Sequence, residues 1–112
     1  MLLEYKQRNR EDDAYETINM EKVVRLRIGS DIENPEITLV TLVFEAVPNK
    51  AMNYLAPSIS VGKYYEHNNA YELYSALQRM DWSEPGFIHF PSEDENISEI
   101  IKNWKKRGLI HD

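Results

Sequence analysis

Three histidines, His67, His89 and His111, are the only side chains whose unperturbed titration falls near neutrality, and the chain holds no cysteine. None of the three is spaced with another, or with a carboxylate, so as to place two metal ligands on one helical face, and thiolate sites are impossible without cysteine. No metal is therefore expected. Glu66 and His67 are adjacent, but neighbours in a strand point to opposite sides, so as strand residues they make a poor acid–base couple. His89 stands in "FIHF" without an orienting partner nearby in sequence and reads as an edge-strand or polar-face residue. The four glycines, Gly29, Gly62, Gly86 and Gly108, are isolated, so no phosphate-cradling loop is formed, and no serine sits in a nucleophile elbow. These absences point to a non-enzymatic protein without a cofactor. A small enzyme would need a dispersed site, around Glu66, His67 and His89.

Charge is the more informative chemistry. Net charge is −6, which weighs against a general binder of nucleic acid or anionic membrane, because phosphate binding is driven by positive charge and counterion release. Between Asp81 and Ile101 six carboxylates (Asp81, Glu84, Glu93, Asp94, Glu95, Glu99) occur with no lysine or arginine, while elsewhere thirteen acids face thirteen bases. The whole imbalance thus sits in one segment. Part of it has a structural purpose: Ser92 followed by Glu95 is the capping-box pattern, so a helix is expected to begin at Ser92, with Glu93 and Asp94 favoured by its dipole. Lys105, Lys106 and Arg107 suit the other end of that helix. Gly108 stands where a left-handed terminating residue is wanted, and Leu109 would fold back on Trp104. Ile97, Ile100, Ile101 and Trp104 form its expected buried face.

Two surfaces follow from this chemistry. Tyr71 and Trp82, near Glu84, Glu93, Asp94 and Glu95, would suit a basic protein partner, with the carboxylates steering and the aromatics supplying affinity. Arg25, Arg27, Lys102, Lys105, Lys106 and Arg107 are the residues a nucleic-acid contact would use, but the aromatics stand among acids, whereas a base-stacking platform needs cations beside it. The string "IIKNWKKRGLI" resembles the terminal helix of winged-helix and primosomal replication domains, which would imply such a contact. The likeness covers about a tenth of the chain and defines no family.

The elements that must position these residues are legible in part. The chain has 112 residues, 42% apolar and 29% charged, which is one folded domain spanning 1–112, with no repeat or linker at which to divide it. "LLEY" could form a short strand, and "DDAYETINM" fits a helical turn or an irregular extension. In "EKVVRLRIG", Val24, Leu26 and Ile28 alternate with Arg25 and Arg27, a strand with one face buried. "EITLVTLVFEAV" reads as a central strand covered on both sides, and "PSISVGKYY" as a third, with Ile59 and Val61 on one face. From an Asn68/Asn69 cap, Ala70, Leu73, Tyr74, Leu77 and Met80 recur as one helical stripe. The expected fold is α+β: a three- to four-stranded, mainly antiparallel sheet packed with two helices from the C-terminal half.

The N-terminus becomes charged after three residues and no stretch approaches the ~20 apolar residues of a membrane span, so neither a signal peptide nor a membrane anchor is expected. With cysteine absent, the expected compartment is the cytoplasm. The combined reading is a small acidic protein that occupies a basic site on another protein, as an inhibitor or neutraliser. Immunity proteins against nuclease toxins and phage anti-defence proteins share that profile of small size, acidity and absence of motifs. A nucleic-acid-associated accessory protein is the alternative.

Overall fold

The computed structural model describes residues 1–8, 13–49, 53–55 and 57–111. Among them the fold is α+β, built from two three-stranded sheets, a short hairpin and two helices in the C-terminal half. The strands are β1 (Leu2–Arg8), β2 (Asp13–Asn19), β3 (Val23–Ser30), β4 (Thr38–Phe44), β5 (Val47–Asn49), β6 (Asn53–Leu55), β7 (Ser58–Tyr64) and β8 (Phe87–Phe90). The helices are α1 (His67–Gln78) and α2 (Ile97–Lys106), with a single 3-10 turn at Met20–Lys22. No helix among the described residues is long and apolar enough to cross a membrane.

The first sheet has the order β2-β1-β8, with β1 antiparallel to β2 and parallel to β8. "DDAYETINM" is therefore strand rather than helical turn or extension from Asp13 to Asn19, and its last residue, Met20, opens the 3-10 turn; its first residue, Asp12, lies outside the described residues. Period-2 patterning explains the pairing: Leu3 and Tyr5 are buried on one face of β1 together with Ile18 of β2 and Ile88 and Phe90 of β8. The second sheet is fully antiparallel, in the order β3-β4-β7. The strands thus divide between two sheets instead of forming one, because "LLEY" and "FIHF", both short in sequence, pair with each other across most of the chain.

The expected burial of Val24 does not occur: it is 63% exposed, whereas Val23 is buried. A bulge between Val23 and Arg25 leaves Val24 without a partner and turns it outward, while Leu26 and Ile28 stay half-buried. On β4, Val40 and Leu42 are buried on the face that α1 covers, whereas Leu39 and Thr41 on the reverse face are only half-buried, so cover on that side is partial. A second bulge, opposite Val40 and Thr41, makes Val61 the extra residue of β7.

Helix α1 buries Ala70, Leu73 and Leu77 of the expected stripe and also Ala76, which that stripe does not include, while Tyr74 is half-buried and Met80 lies beyond the helix, bridging to Ile110. Its N-cap is Glu66, and Asn68 and Asn69 fall within the first turn instead of capping it. Helix α2 starts later than the sequence indicates, at Ile97, with the Asn96 side chain accepting from the Glu99 N–H at 3.2 Å. Its end follows expectation. Gly108 has φ 73°, its N–H donates to the Lys105 carbonyl at 3.0 Å, and the Leu109 N–H donates to Trp104 at 3.0 Å, the paired bonds of a Schellman ending. Trp104 is 2% exposed and Leu109 is also buried. Ile97 is buried, and Ile100 and Ile101 pack against the core from its edge.

Candidate functional site

The residues Ser92–Glu95 form a turn between β8 and α2, and the capping-box groups act on that turn rather than on a helix. The Glu95 N–H donates to the Ser92 carbonyl at 3.1 Å, and Glu95 Oε2 accepts from the Ser92 N–H at 2.8 Å. The Ser92 hydroxyl donates to Asp94 and to Glu95. Glu93 reaches away from the turn and accepts from the Glu66 N–H at 2.8 Å, satisfying an otherwise free donor at the start of α1. The turn is therefore tied to the start of α1 through Glu93, while Asp94 and Glu95 accept from Ser92 and hold the turn itself.

His89 acquires partners that the sequence does not reveal. Its Nδ1 lies 3.2 Å from Glu4 Oε1, and its Nε2 lies 2.8 Å from Glu95 Oε1. Glu4 stands directly opposite His89 in the β1–β8 register, and Glu95 comes from the turn. Partial burial pulls the Glu95 carboxyl upward, but the Ser92 N–H, His89 and the Ser92 hydroxyl together outweigh it and hold the group below its ordinary value. Both ring nitrogens face carboxylates on opposite sides of the imidazole, so neither is directed at an open position where a substrate proton could sit. For the same reason the three groups do not converge on one point. No cluster of three His, Asp or Glu among the described residues is placed to hold a metal ion.

His67 is engaged separately. Its Nδ1 is 3.0 Å from Thr38 Oγ1, and its ring packs edge-on against Tyr71 with centroids 4.4 Å apart. Glu66 and His67 are the cap and first residue of α1, not strand neighbours.

Between the two sheets lies an open cleft of about 1050 Å³. One wall is the row Glu16, Tyr5 and Phe90, which are register partners across β2, β1 and β8. The opposite wall is β7 from Ser58 to Lys63, backed by Leu39 and Ile37, with Tyr65 at the rim. Glu16, Asp31, Glu93 and Asp94 contribute four carboxylates to the lining against two lysines, Lys6 and Lys63. Tyr64 fixes the geometry where the walls meet: its ring is fully buried, and its hydroxyl donates to the Pro91 carbonyl at 2.5 Å, one residue before the acidic turn. Burial, then the charges of Glu95 and Glu93, push the Tyr64 phenol far above its ordinary value, so it keeps its proton and remains a donor.

The two surfaces expected from sequence are distributed differently. Glu93 and Asp94 line the cleft, while Glu95 faces His89 beside it. Tyr71 is 49% exposed but lines a separate groove of about 460 Å³ between α1 and α2, with Arg79, Lys105, Ser75 and Ile101. Trp82 is half-buried against the core, with its indole N–H donating to the Leu77 carbonyl at 3.0 Å, and Glu84 is exposed in the following loop. Among the expected bases, Arg25 and Arg27 are exposed on β3, and Lys102, Lys105, Lys106 and Arg107 are exposed on or beside the end of α2. Arg107 donates to the Phe87 carbonyl at 2.8 Å. The sequence reading missed Glu16, Asp31, Lys6 and Lys63 as cleft residues, because only strand register brings them to one place. Tyr65 had a signal: of two adjacent tyrosines in a strand, one must face outward.

Comparison with protein-family models, with curated proteins and with solved structures returns no match.

Proposed function

We propose that this is a protein-binding protein, of the inhibitor or neutraliser kind, whose acidic cleft between the sheets receives a basic segment of its partner. The observation that carries this reading is the composition of the cleft: its lining combines the half-buried apolar residues Ile37, Leu39 and Ile59 with four carboxylates against two lysines. At protein interfaces apolar contacts supply affinity while charges steer the partner. The working surface moves accordingly. Glu93 and Asp94 remain in it, Glu16 and Asp31 join them, and Trp82 is assigned to packing.

The test is a charge reversal, Glu16→Lys with Asp94→Lys, compared with Glu84→Lys outside the cleft, after circular dichroism shows each variant folded. With a partner recovered from the native host, the cleft pair weakens binding and flattens its salt dependence while Glu84→Lys does neither. Unchanged affinity and salt dependence in the cleft pair would remove the cleft from the binding surface.

One observation supports the nucleic-acid alternative. Tyr71 shares its groove with Lys105 and Arg79, an aromatic beside cations as stacking on a base requires. Glu72 in the same groove and the net charge of −6 oppose it.

A further inference from the structure

Six consecutive residues of β7, Ser58–Lys63, line the cleft. Side chains alternate across a strand, so a surface that touched only one face of β7 would be lined by every second residue. The run takes in residues of both faces, so the cleft reaches the edge of β7, where its backbone N–H and C=O groups point, as well as the reverse face on which Leu39 lies. β7 is the outer strand of its sheet, paired on one side with β4. Among the described residues, Ser58–Lys63 make no backbone hydrogen bond outside that ladder. The sheet thus ends at an unpaired edge inside a cleft, which is the geometry that accepts an added strand.

We infer that the partner enters the cleft as a single extended segment that pairs with the open edge of β7 and carries basic side chains toward Glu16, Asp31, Glu93 and Asp94. This rests on the protein-binding reading above and specifies its mode. The occupant is identified by two independent features. Unpaired peptide groups call for a peptide backbone, and the excess of carboxylates calls for lysine or arginine on it. A six-residue extended segment spans about 20 Å, the length of the β7 run. The Val61 bulge and Lys63 are both devices that discourage indiscriminate edge pairing.

The probe is an acetylated, amidated hexapeptide of alternating lysine and valine, with a second version N-methylated at alternate residues so that one edge of its backbone can no longer donate. The expected result is saturable binding of the parent peptide to the intact protein, with the outward-pointing half of the Ser58–Lys63 amides gaining hydrogen-exchange protection. N-methylation on the pairing edge should weaken binding by ~10-fold or more, through loss of several ladder hydrogen bonds at once. Equal binding of both peptides overturns the inference while leaving the cleft reading intact, because side chains alone then hold the segment. Protection outside β7, or no binding of the parent peptide at millimolar concentration, also overturns it. Failure of the cleft itself is read separately, from the charge-reversal pair and the host partner.

Discussion

Gly62→Ala separates local propensity from tertiary packing by the sign of its effect. In an ordinary strand, alanine in place of glycine stabilises by about 0.4–1 kcal/mol, because the unfolded chain loses conformational freedom. Here a methyl at Gly62 would lie 2.6 Å from Tyr64 Cζ and closer still to Cε2 and Oη, far inside van der Waals contact. The ring has nowhere to go: it is fully buried, and its hydroxyl is bonded to the Pro91 carbonyl. Overpacking of this kind costs about 1–3 kcal/mol, and tilting the ring enough to break the hydroxyl bond adds about 1 kcal/mol. Set against the propensity gain, the net expectation is a destabilisation of about 1–3.5 kcal/mol. Urea unfolding followed by circular dichroism measures it, and a lower midpoint at unchanged slope is the expected form. Tyr64→Leu serves as the second arm. If the clash is the cause, Gly62→Ala costs much less in the Tyr64→Leu background, a coupling that independent sites would not show. A neutral or stabilising Gly62→Ala would refute the placement of the Tyr64 ring, and with it the account of how the acidic turn is anchored.

Two further outcomes are expected. Because the folded state holds the Glu95 carboxyl below its ordinary value, its contribution to stability is present above the unfolded Glu pKa of about 4.3 and is lost as pH falls through the lower folded value. Glu95→Gln should therefore destabilise at neutral pH and converge on the parent protein in acid; parallel stability–pH curves would show that Glu95 makes no such linkage. Binding to single- or double-stranded nucleic acid should be weak at physiological salt, and a submicromolar gel shift there, weakened by Lys105→Glu with Lys106→Glu, would promote the Tyr71–Lys105 groove to the working site.

The chain's local grammar determined a good deal. The alternation in "VVRLRIG" and "EITLVTLVF", the helical stripe through Ala70, Leu73 and Leu77, and the ending at Gly108 are all properties of a few consecutive residues, and each element formed near where its pattern lies. Local grammar is also degenerate. The Ser92–Glu95 signature satisfies the same donors in a turn as in a first helical turn, so it could not say that α2 waits for Asn96. Likewise, the 2.0-residue period of β3 gave no warning of the bulge that exposes Val24.

What only the tertiary structure decided is which distant residues meet. Glu4 and His89 are 85 positions apart and share a hydrogen bond only because β1 and β8 pair in parallel. That one pairing divides the strands into two sheets and gives His89 its carboxylates. With β7 standing across from β1, it also opens the cleft that Glu16 and Lys63 line together with the acidic turn. The physical reason is that strand register is set by burial of a whole face, a collective quantity summed over both partners, whereas periodicity within one strand reports only that some face is to be buried.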